Sequence, residues 1–512
     1  MPRSYNISTV SDFKGVNRSV EKHAIAPNEF ASLSNFFPPR KGYLRKRKGF
    51  YREPASNAHP QPGGGFFRLL SVVWANSPTL LDKIWATDGI NLYWKRADTP
   101  TSSWNSTTGT PMPATGVEWG FVRAAGPANP YHHYFVRSTG ASIGVVNSGV
   151  VFNGFGPVGT FTCHYKGRQW IINSDGQDGE ESKVHFSAVE DFITWAPNVN
   201  AGTISISPGD GQRNISMQVY NDDLYIFKDQ SIWKLNASSV DQTTYSPQLV
   251  HASVGCIGRG SIQVIDGFMY FVSQDGVYRT DGTTFERISD KLNANLASQI
   301  PTNTSVKGYY SAHFEGMYIF TSPGSPTINC FDTTTEEWVT WAVNLTTGGN
   351  AIPMGFVQYG RGVEKLYMGS DGGSGYMYVF DPVNTWYKDD TIGLSGGADI
   401  NNFVGFMEFG FLDDGAPTEV KRNFWVGIDC EGAATTSVEV RYVRKDTLGA
   451  AVTKSLTHPS RTLLRFPGAG RFREIGLRVI FGTNAGQGGA EINVYGVNWA
   501  NSGPKQVVSN AG

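Results

Sequence analysis

One short pattern recurs along most of this chain, and it restricts the fold more than any bulk property does. Its clearest copy is VIDGFMYFVSQDGVYRTD, residues 264–281, with an Asp-Gly pair at Asp266-Gly267, a strand around Tyr270, a second pair at Asp275-Gly276 and a second strand at Val277-Tyr278. Turn, strand, turn, strand is the signature of a β-hairpin. The same central aromatic stands at Trp85, Tyr134, Trp170, Tyr225, Tyr270, Tyr318 and Tyr367, with spacings of 49, 36, 55, 45, 48 and 49 residues. An average period of 47 residues matches propeller blades and exceeds ankyrin or tetratricopeptide units. The segments also alternate apolar and polar residues instead of following the 3.6-residue helical period.

A later strand of the unit recurs at Leu92-Tyr93-Trp94, Val184-His185-Phe186, Ile232-Trp233-Lys234, Val277-Tyr278, Asn329-Cys330-Phe331 and Met377-Tyr378-Val379-Phe380. A further aromatic follows at Trp104, Trp195, Phe285, Trp341 and Trp386. Small units of this kind cannot bury an apolar face alone, so they are expected to stack as the blades of an all-β propeller; the competing arrangement is a set of hairpins in one large sandwich. The Tyr134 copy is irregular, so six or seven blades are expected, and the ring can be closed by strands from both chain ends.

At 512 residues the chain exceeds one ordinary core, and two or three domains are expected. Sixty glycines, 22 Tyr, 31 Phe and 13 Trp beside only 17% charged residues suit many turns and aromatic strand centres. A net charge of −1 supplies no global field for nucleic acid or a membrane, which makes a local basic cluster informative. Cys163, Cys256, Cys330 and Cys430 are too far apart for a zinc ribbon or a small disulfide scaffold, so reduced, mostly buried thiols are expected. Neither a secretion-signal pattern nor an apolar run of about 18 residues occurs, so the expectation is a soluble chain folded in a cytoplasm, with no membrane-spanning segment.

Three regions follow from these patterns: an N-terminal extension at 1–60, a propeller at 61–390 and a C-terminal β-sandwich or jelly-roll domain at 391–512. The Gly-rich stretch from Thr391 to Asn401 marks the second boundary. Beyond it, strands are expected at Phe424-Val426-Ile428, Val438-Val440-Tyr442, Leu464-Phe466, Ile475-Leu477-Val479-Phe481, Ile492-Val494 and Val497-Trp499. Two short helices are expected, one near Pro27 with Phe30 and Leu33 on one face and one over Lys291 to Ile300.

The N-terminal text is distinctive. Gly15 and Asn17, then Pro27, Glu29, Ala31 and Asn35, then Gly42, Leu44, Arg47, Gly49 and Phe50 form three spaced motifs ahead of the repeats. Together they resemble the opening of the propeller-bearing tail nozzle (tail tubular) and packaged-DNA stabilisation proteins of tailed bacteriophages. The resemblance covers residues 15–50 closely and the rest of the chain loosely, through the order of opening, repeats and final β domain. It implies a structural virion protein without enzymatic activity or cofactor, assembled in the host cytoplasm into a six-fold homo-oligomeric ring. Such a ring continues the portal–adaptor channel, retains packaged duplex DNA until ejection, and anchors fibre or tip proteins.

Arg40, Lys41, Arg45, Lys46, Arg47 and Lys48 put six cations in nine residues, the footprint of a phosphate contact insensitive to base sequence. On a strand, Arg45 and Arg47 face one way and Lys46 and Lys48 the other, so charge reversal at Arg45 and Arg47 is expected to spare folding. The alternative is a charged edge strand protected from pairing. Other candidates are weaker. Thr280 to Phe285 has the flavour of a sialidase Asp-box but not its spacing, and reads as a turn between strands. The doublets Asp222-Asp223, Glu336-Glu337 and Asp389-Asp390 could serve a glycosidase, yet each falls at a predicted turn. Asp175 to Glu181 lacks the EF-hand spacing, so no metal site is expected there, and adjacent His132 and His133 point to opposite faces of a strand. Besides the tail protein, two readings stay open: a non-viral propeller scaffold for protein interactions, and a glycan-active propeller enzyme.

Overall fold

The computed structural model describes residues 6–40, 42–52, 68–73, 83–87, 92–96, 104–106, 119–126, 129–137, 143–145, 151–153, 156–173, 179–191, 194–196, 200–239, 241–292, 309–343, 353–359, 363–370, 377–383, 391–392, 405–412, 421–431, 435–444, 447–448, 450–457, 464–466, 472–481 and 491–502. Their regular structure is strand with three short 3-10 turns. The repeat folds as the alternation predicts. Residues 263–287 form a four-stranded antiparallel meander, Gln263–Ile265, Phe268–Ser273, Gly276–Thr280 and Phe285–Arg287. Asp266 and Gly267 both have positive φ, 49° and 81°, the requirement of a two-residue I′ hairpin turn. Lys166-Gly167, Asn221-Asp222 and Glu315-Gly316 repeat that backbone at the same place in three other meanders.

Six such four-stranded units and a seventh of three consecutive strands follow one another along the chain, the sixth as part of a larger ten-stranded sheet. Every aligned aromatic occupies the second strand of its own sheet: Trp85 in Lys83–Thr87, Tyr134 in Asn129–Arg137, Trp170 in Arg168–Ile172, Tyr225 in Asp223–Lys228, Tyr270 in Phe268–Ser273, Tyr318 in Met317–Thr321 and Tyr367 in Lys365–Ser370. The first strands carry the ring. Arg68–Val73 packs on Trp119–Gly126, that strand on Phe161–Tyr165, and Phe161–Tyr165 on Asn214–Tyr220; Gln263–Ile265 packs on Tyr310–Phe314, and Tyr310–Phe314 on Pro353–Tyr359. Pro353–Tyr359 returns to Arg68–Val73, which closes the circle.

Apolar side chains are buried between neighbouring sheets rather than inside any one of them. Tyr165, Trp170 and Phe186 of the third sheet share a core with Met217, Leu224 and Ile226 of the fourth. Phe227 of the fourth meets Phe271 of the fifth at 5.2 Å. The seventh sheet's Tyr367 and Val379 pack with Ile84 and Tyr93 of the first. Each fully buried large apolar side chain contributes roughly 1.5–3 kcal/mol, so a blade is stable only beside its neighbours.

The seventh sheet is completed from the other end of the chain. Phe50–Arg52 pairs antiparallel with Tyr378–Phe380, in the register Phe50 with Phe380, and Thr391–Ile392 pairs parallel on its far side. The expected C-terminal strands are present, with the stretches around Val494 and Trp499 joined in one strand and Gly405–Leu412 and Val452–Thr457 added, and they form two antiparallel sheets. One has Gly405–Leu412, Glu474–Phe481, Thr435–Arg444 and Val452–Thr457; the other has Leu464–Phe466, Arg422–Glu431 and Asn493–Ser502. Phe424 and Phe466 of the second sheet and Tyr442 of the first share their core with Phe472, which lies just before Glu474–Phe481.

The described residues of 6–52 are distributed through both parts instead of standing apart as an extension. Asn6–Val10 is an edge strand of the second C-terminal sheet, and Leu44–Arg45 pairs with Asn493 and Val494 in the same sheet. The expected helix near Pro27 is a strand, Phe30–Ser34. It pairs with Gly405–Leu412 on one side and bridges Ser34 to Thr340 on the other, which splices the sixth blade to the first C-terminal sheet. Phe30 and Leu33 are both fully buried because both faces of this strand are covered, and covering both faces imitates a helical stripe in sequence. Asp290–Leu292 is a 3-10 turn, and the rest of the expected Lys291–Ile300 helix lies outside the described residues. Residues 393–401 of the expected linker do so as well.

Candidate functional site

The motifs of residues 15–50 converge on one place, the joint between the sixth blade, the seventh blade and the C-terminal sheets. Asn35 sits at its centre with φ of +63°, a left-handed conformation that asparagine tolerates better than most residues. Its backbone N–H donates to the Thr340 carbonyl at 2.8 Å, and its side-chain Oδ1 accepts from the Ala342 N–H at 3.0 Å. Arg47 completes the clamp: Nε donates to Asn35 Oδ1 at 2.9 Å, one terminal nitrogen to the Lys48 carbonyl at 2.8 Å and the other to the Ala342 carbonyl at 2.9 Å. The guanidinium also lies over the Phe50 ring at 5.3 Å. Arg47 is fully buried, so a residue that reads as a surface cation is an internal fastener for the outer strand of the sixth blade.

The rest of the basic run is used in the same manner. Arg40 pairs with the buried Asp332 at 2.5 Å and donates to the Glu315 carbonyl, while Arg45 lies over the Phe37 ring at 4.3 Å and 3.8 Å from Glu315. Lys46, only 1% exposed, reaches the Phe481 carbonyl of the C-terminal sheet, and Lys48 donates to the Pro382 carbonyl beside the seventh blade at 2.6 Å. The expected alternation survives as a division of labour, with Arg45 and Arg47 turned to the sixth blade and the lysines elsewhere. Both directions are occupied by protein. The side chains of Arg40 and Arg45 are 46% and 40% exposed, Lys48 is half-buried, and Lys41 lies outside the described residues. Charge reversal at Arg47 would bury an uncompensated carboxylate, so the expectation that it spares folding is corrected.

Gly15, Asn17 and Glu29 form a second knot. Gly15 N–H donates to Glu337 Oε2 at 2.9 Å, Asn17 Nδ2 donates to Glu29 Oε2 at 2.6 Å, and Lys291 Nζ bridges the two carboxylates at 3.1 Å and 3.3 Å. A Cβ on Gly15 would stand 2.6 Å from the Trp338 carbonyl oxygen, so only glycine fits. Of the remaining motif positions, Gly42 has φ of +76°, Gly49 is buried, and Pro27 lies in the turn before Phe30–Ser34. Sequence reasoning missed the roles of Glu337, Lys291 and Ala342, which arise from contacts with residues up to 322 positions away.

The candidate catalytic and metal groups that are described are tied to other side chains or to backbone, while Asp175 to Asp178 lie outside the described residues. Asp222 caps the fourth blade's hairpin turn and pairs with Lys166, Asp223 pairs with Lys234, and Glu336 with Arg279 at 2.7 Å. Asp389 and Asp390 lie outside the described residues. Asp281 accepts the N–H groups of Thr283 and Thr284 at 2.8 Å and 2.7 Å, a turn between blade strands. Glu180 is tied to Lys183 and His185, with its carboxyl held below the usual range chiefly by the Lys183 hydrogen bond. Among the described residues no group of three metal-ligating side chains comes together, and no helix is long and apolar enough to cross a membrane. All four cysteines are free thiols, with Cys256 and Cys330 buried and Cys163 and Cys430 half-buried.

No family model matches the chain, and no curated protein sequence matches it. Solved structures that resemble it are distant. PorZ, an essential bacterial surface component of the type-IX secretion system of Porphyromonas gingivalis, is 10% identical, with 70% of this chain and 43% of that one covered at a TM-score of 0.37, so this chain spans less than half of PorZ. The Neurospora crassa Pan2 WD40 domain is 10% identical, with 67% and 97% covered at 0.37, and the Myceliophteria thermophila Cps50 (Swd1) β-propeller domain is 7% identical, with 61% and 96% covered at 0.38. Independently of these distant likenesses, the ring of antiparallel sheets makes the chain an all-β protein with a β-propeller.

Proposed function

We propose that this protein is a non-enzymatic structural scaffold, a β-propeller welded to a C-terminal β unit and used as a rigid platform for other proteins. The observation that carries the proposal is the joint itself. The Phe30–Ser34 splice strand and the Asn35–Arg47 clamp hold blade and C-terminal sheet together by backbone and charge-assisted hydrogen bonds. A joint of this kind opposes the relative motion that is the default between domains. It transmits force, and it supplies no reacting group.

The bacteriophage resemblance extends the proposal to a tail nozzle ring. It is favoured by one observation: Gly15, Asn17, Glu29, Asn35 and Arg47, matched as a family opening, each have a specific task at the joint. On this reading copies of the chain close into a homo-oligomeric ring by a heterologous interface. Channel DNA would then be met by surfaces other than Lys46 and Arg47. Negative-stain microscopy of the purified chain, with light scattering, tests both levels. Closed rings with a central hole are expected for the nozzle. A persistent monomer refutes the ring while leaving the scaffold, and cleavage of any member of a glycan panel refutes the scaffold.

A further inference from the structure

The outward face of the first C-terminal sheet carries a small charged cavity of about 260 Å³. Gly476 forms its floor, because it alone among its outward neighbours on Glu474–Phe481 lacks a side chain. Phe411 and Arg441 stand on either side of it, and Lys22, Glu408, Glu439 and Arg478 complete the walls. The wall at Phe411 is set by a bulge in Gly405–Leu412, where the pairing register shifts between Glu408 and Phe411 and Phe411 N–H donates to the Lys22 carbonyl at 2.7 Å. Bulges commonly re-aim side chains in this way beside binding sites.

The charges in the cavity do not balance. Glu408 is paired with Lys22, and Glu439 accepts from Arg441 at 3.0 Å. Arg478 stands in register between these two carboxylates yet bonds to neither of them. Its guanidinium lies over the Phe406 ring at 4.4 Å, and its Nε is buried and meets no acceptor among the described residues. Three cations thus face two carboxylates, with one planar donor left over. A buried donor without an acceptor costs free energy and calls for an explanation. We propose that this cavity is a carboxylate site that takes an aspartate or glutamate side chain of a partner protein. The two terminal nitrogens of Arg478, which unlike Nε are not buried, supply the fork that matches a carboxylate, Phe406 fixes its plane, and Gly476 leaves room for the acid's methylenes. The volume suits one side chain and falls below that of ordinary small-molecule pockets.

The site goes beyond the scaffold reading and does not depend on ring formation. It is tested on the full chain by saturation-transfer NMR with N-acetyl-glutamate methylamide, whose side chain is its only charge, beside the glutamine analogue and inorganic phosphate. Saturable binding of the glutamate compound is expected, with the glutamine analogue weaker by roughly tenfold or more, the loss of one charge-assisted pair. Arg478→Met should abolish binding. Gly476→Ala should weaken it by roughly tenfold while leaving the fold intact, since the added Cβ would lie 3.4 Å from Phe411, an ordinary contact. Equal binding of the glutamine analogue, phosphate binding as tight as glutamate, no binding at all, or unchanged affinity in both variants would each overturn the proposal.

Discussion

Replacing Arg47 by methionine tests the joint most directly. The guanidinium makes three hydrogen bonds within 2.9 Å, to Asn35 Oδ1 and to the Lys48 and Ala342 carbonyls. Bonds from a charged donor are worth roughly 1.5–3 kcal/mol each, and the cost of burying the cation, which methionine avoids, offsets part of that sum. A net loss of about 3 kcal/mol is expected, since the buried Asn35 Oδ1 and two part-buried carbonyls lose a donor while the side-chain volume stays similar. Hydrogen exchange read by mass spectrometry is the assay, because it reports local opening in a chain too large for a single unfolding equilibrium. Peptides carrying the Asn35, Arg47 and Ala342 amides should exchange roughly a hundredfold faster, with distant blades unchanged. Arg47→Lys should fall between, since an ammonium cannot span all three acceptors. In an Asn35→Gly background, which keeps the positive φ but lacks Oδ1, Arg47→Met should cost less by about 1 kcal/mol. A loss below about 0.5 kcal/mol, or unchanged exchange at Ala342, would refute the clamp.

Other perturbations are read as simply. Gly15→Ala places a Cβ 2.6 Å from a backbone oxygen and should lower the melting temperature strongly, whereas the same change at Gly476 should leave it within a degree or two. Burial pushes the Cys256 thiol up to about 11, so its alkylation at pH 8 should be slow until denaturant is added; rapid labelling of Cys256 in the native chain would contradict its burial. Burial lowers Lys83 and Lys95 of the first blade to about 8. Between about pH 8 and 10 the unfolded chain therefore holds protons that the folded one has released, and stability should rise. Above about pH 10 the trend should reverse, because burial holds Tyr51, Tyr309 and Tyr367 far above the ordinary tyrosine range and the unfolded chain ionises first. Melting temperatures from pH 7.5 to 11 check this, and Lys83→Met with Lys95→Met should flatten the rising limb.

The blades were legible in sequence because each is local. A strand centred on Tyr270 between Asp266-Gly267 and Gly276 contains its own turn chemistry, so the period of the aromatics locates all seven second strands. The bonds between blades were not legible, although two share a position: Tyr165 and Tyr220 each end a first strand, and each donates its hydroxyl to a carbonyl in the next blade's turn, Asp222 and Gly267. Nothing near either tyrosine in sequence names its acceptor. The basic run misled for a related reason. Six cations in nine residues normally signal solvent or phosphate, and only tertiary contacts show that carbonyls of residues 342, 382 and 481 take up Arg47, Lys48 and Lys46. Of these three the resemblance marked Arg47 alone, without saying what it does.

The concentration of interactions around Arg47 and Phe50 follows from where the ring closes. Blades closed by a two-residue turn lose little chain entropy, whereas pairing Phe50 with Phe380 joins residues 330 apart. On the usual logarithmic scaling that closure costs about 5 kcal/mol more than joining adjacent residues. Phe37 and Phe50 both pack on Phe380, at 6.0 Å and 5.3 Å, and both lie against Trp341. Their burial contributes roughly 1.5–3 kcal/mol each, and with the clamp this matches the closure cost. The same argument explains why the fastener is an arginine. Three acceptors from three separate stretches of chain must be held together, and among the side chains only a planar five-donor fork with fixed charge reaches them all.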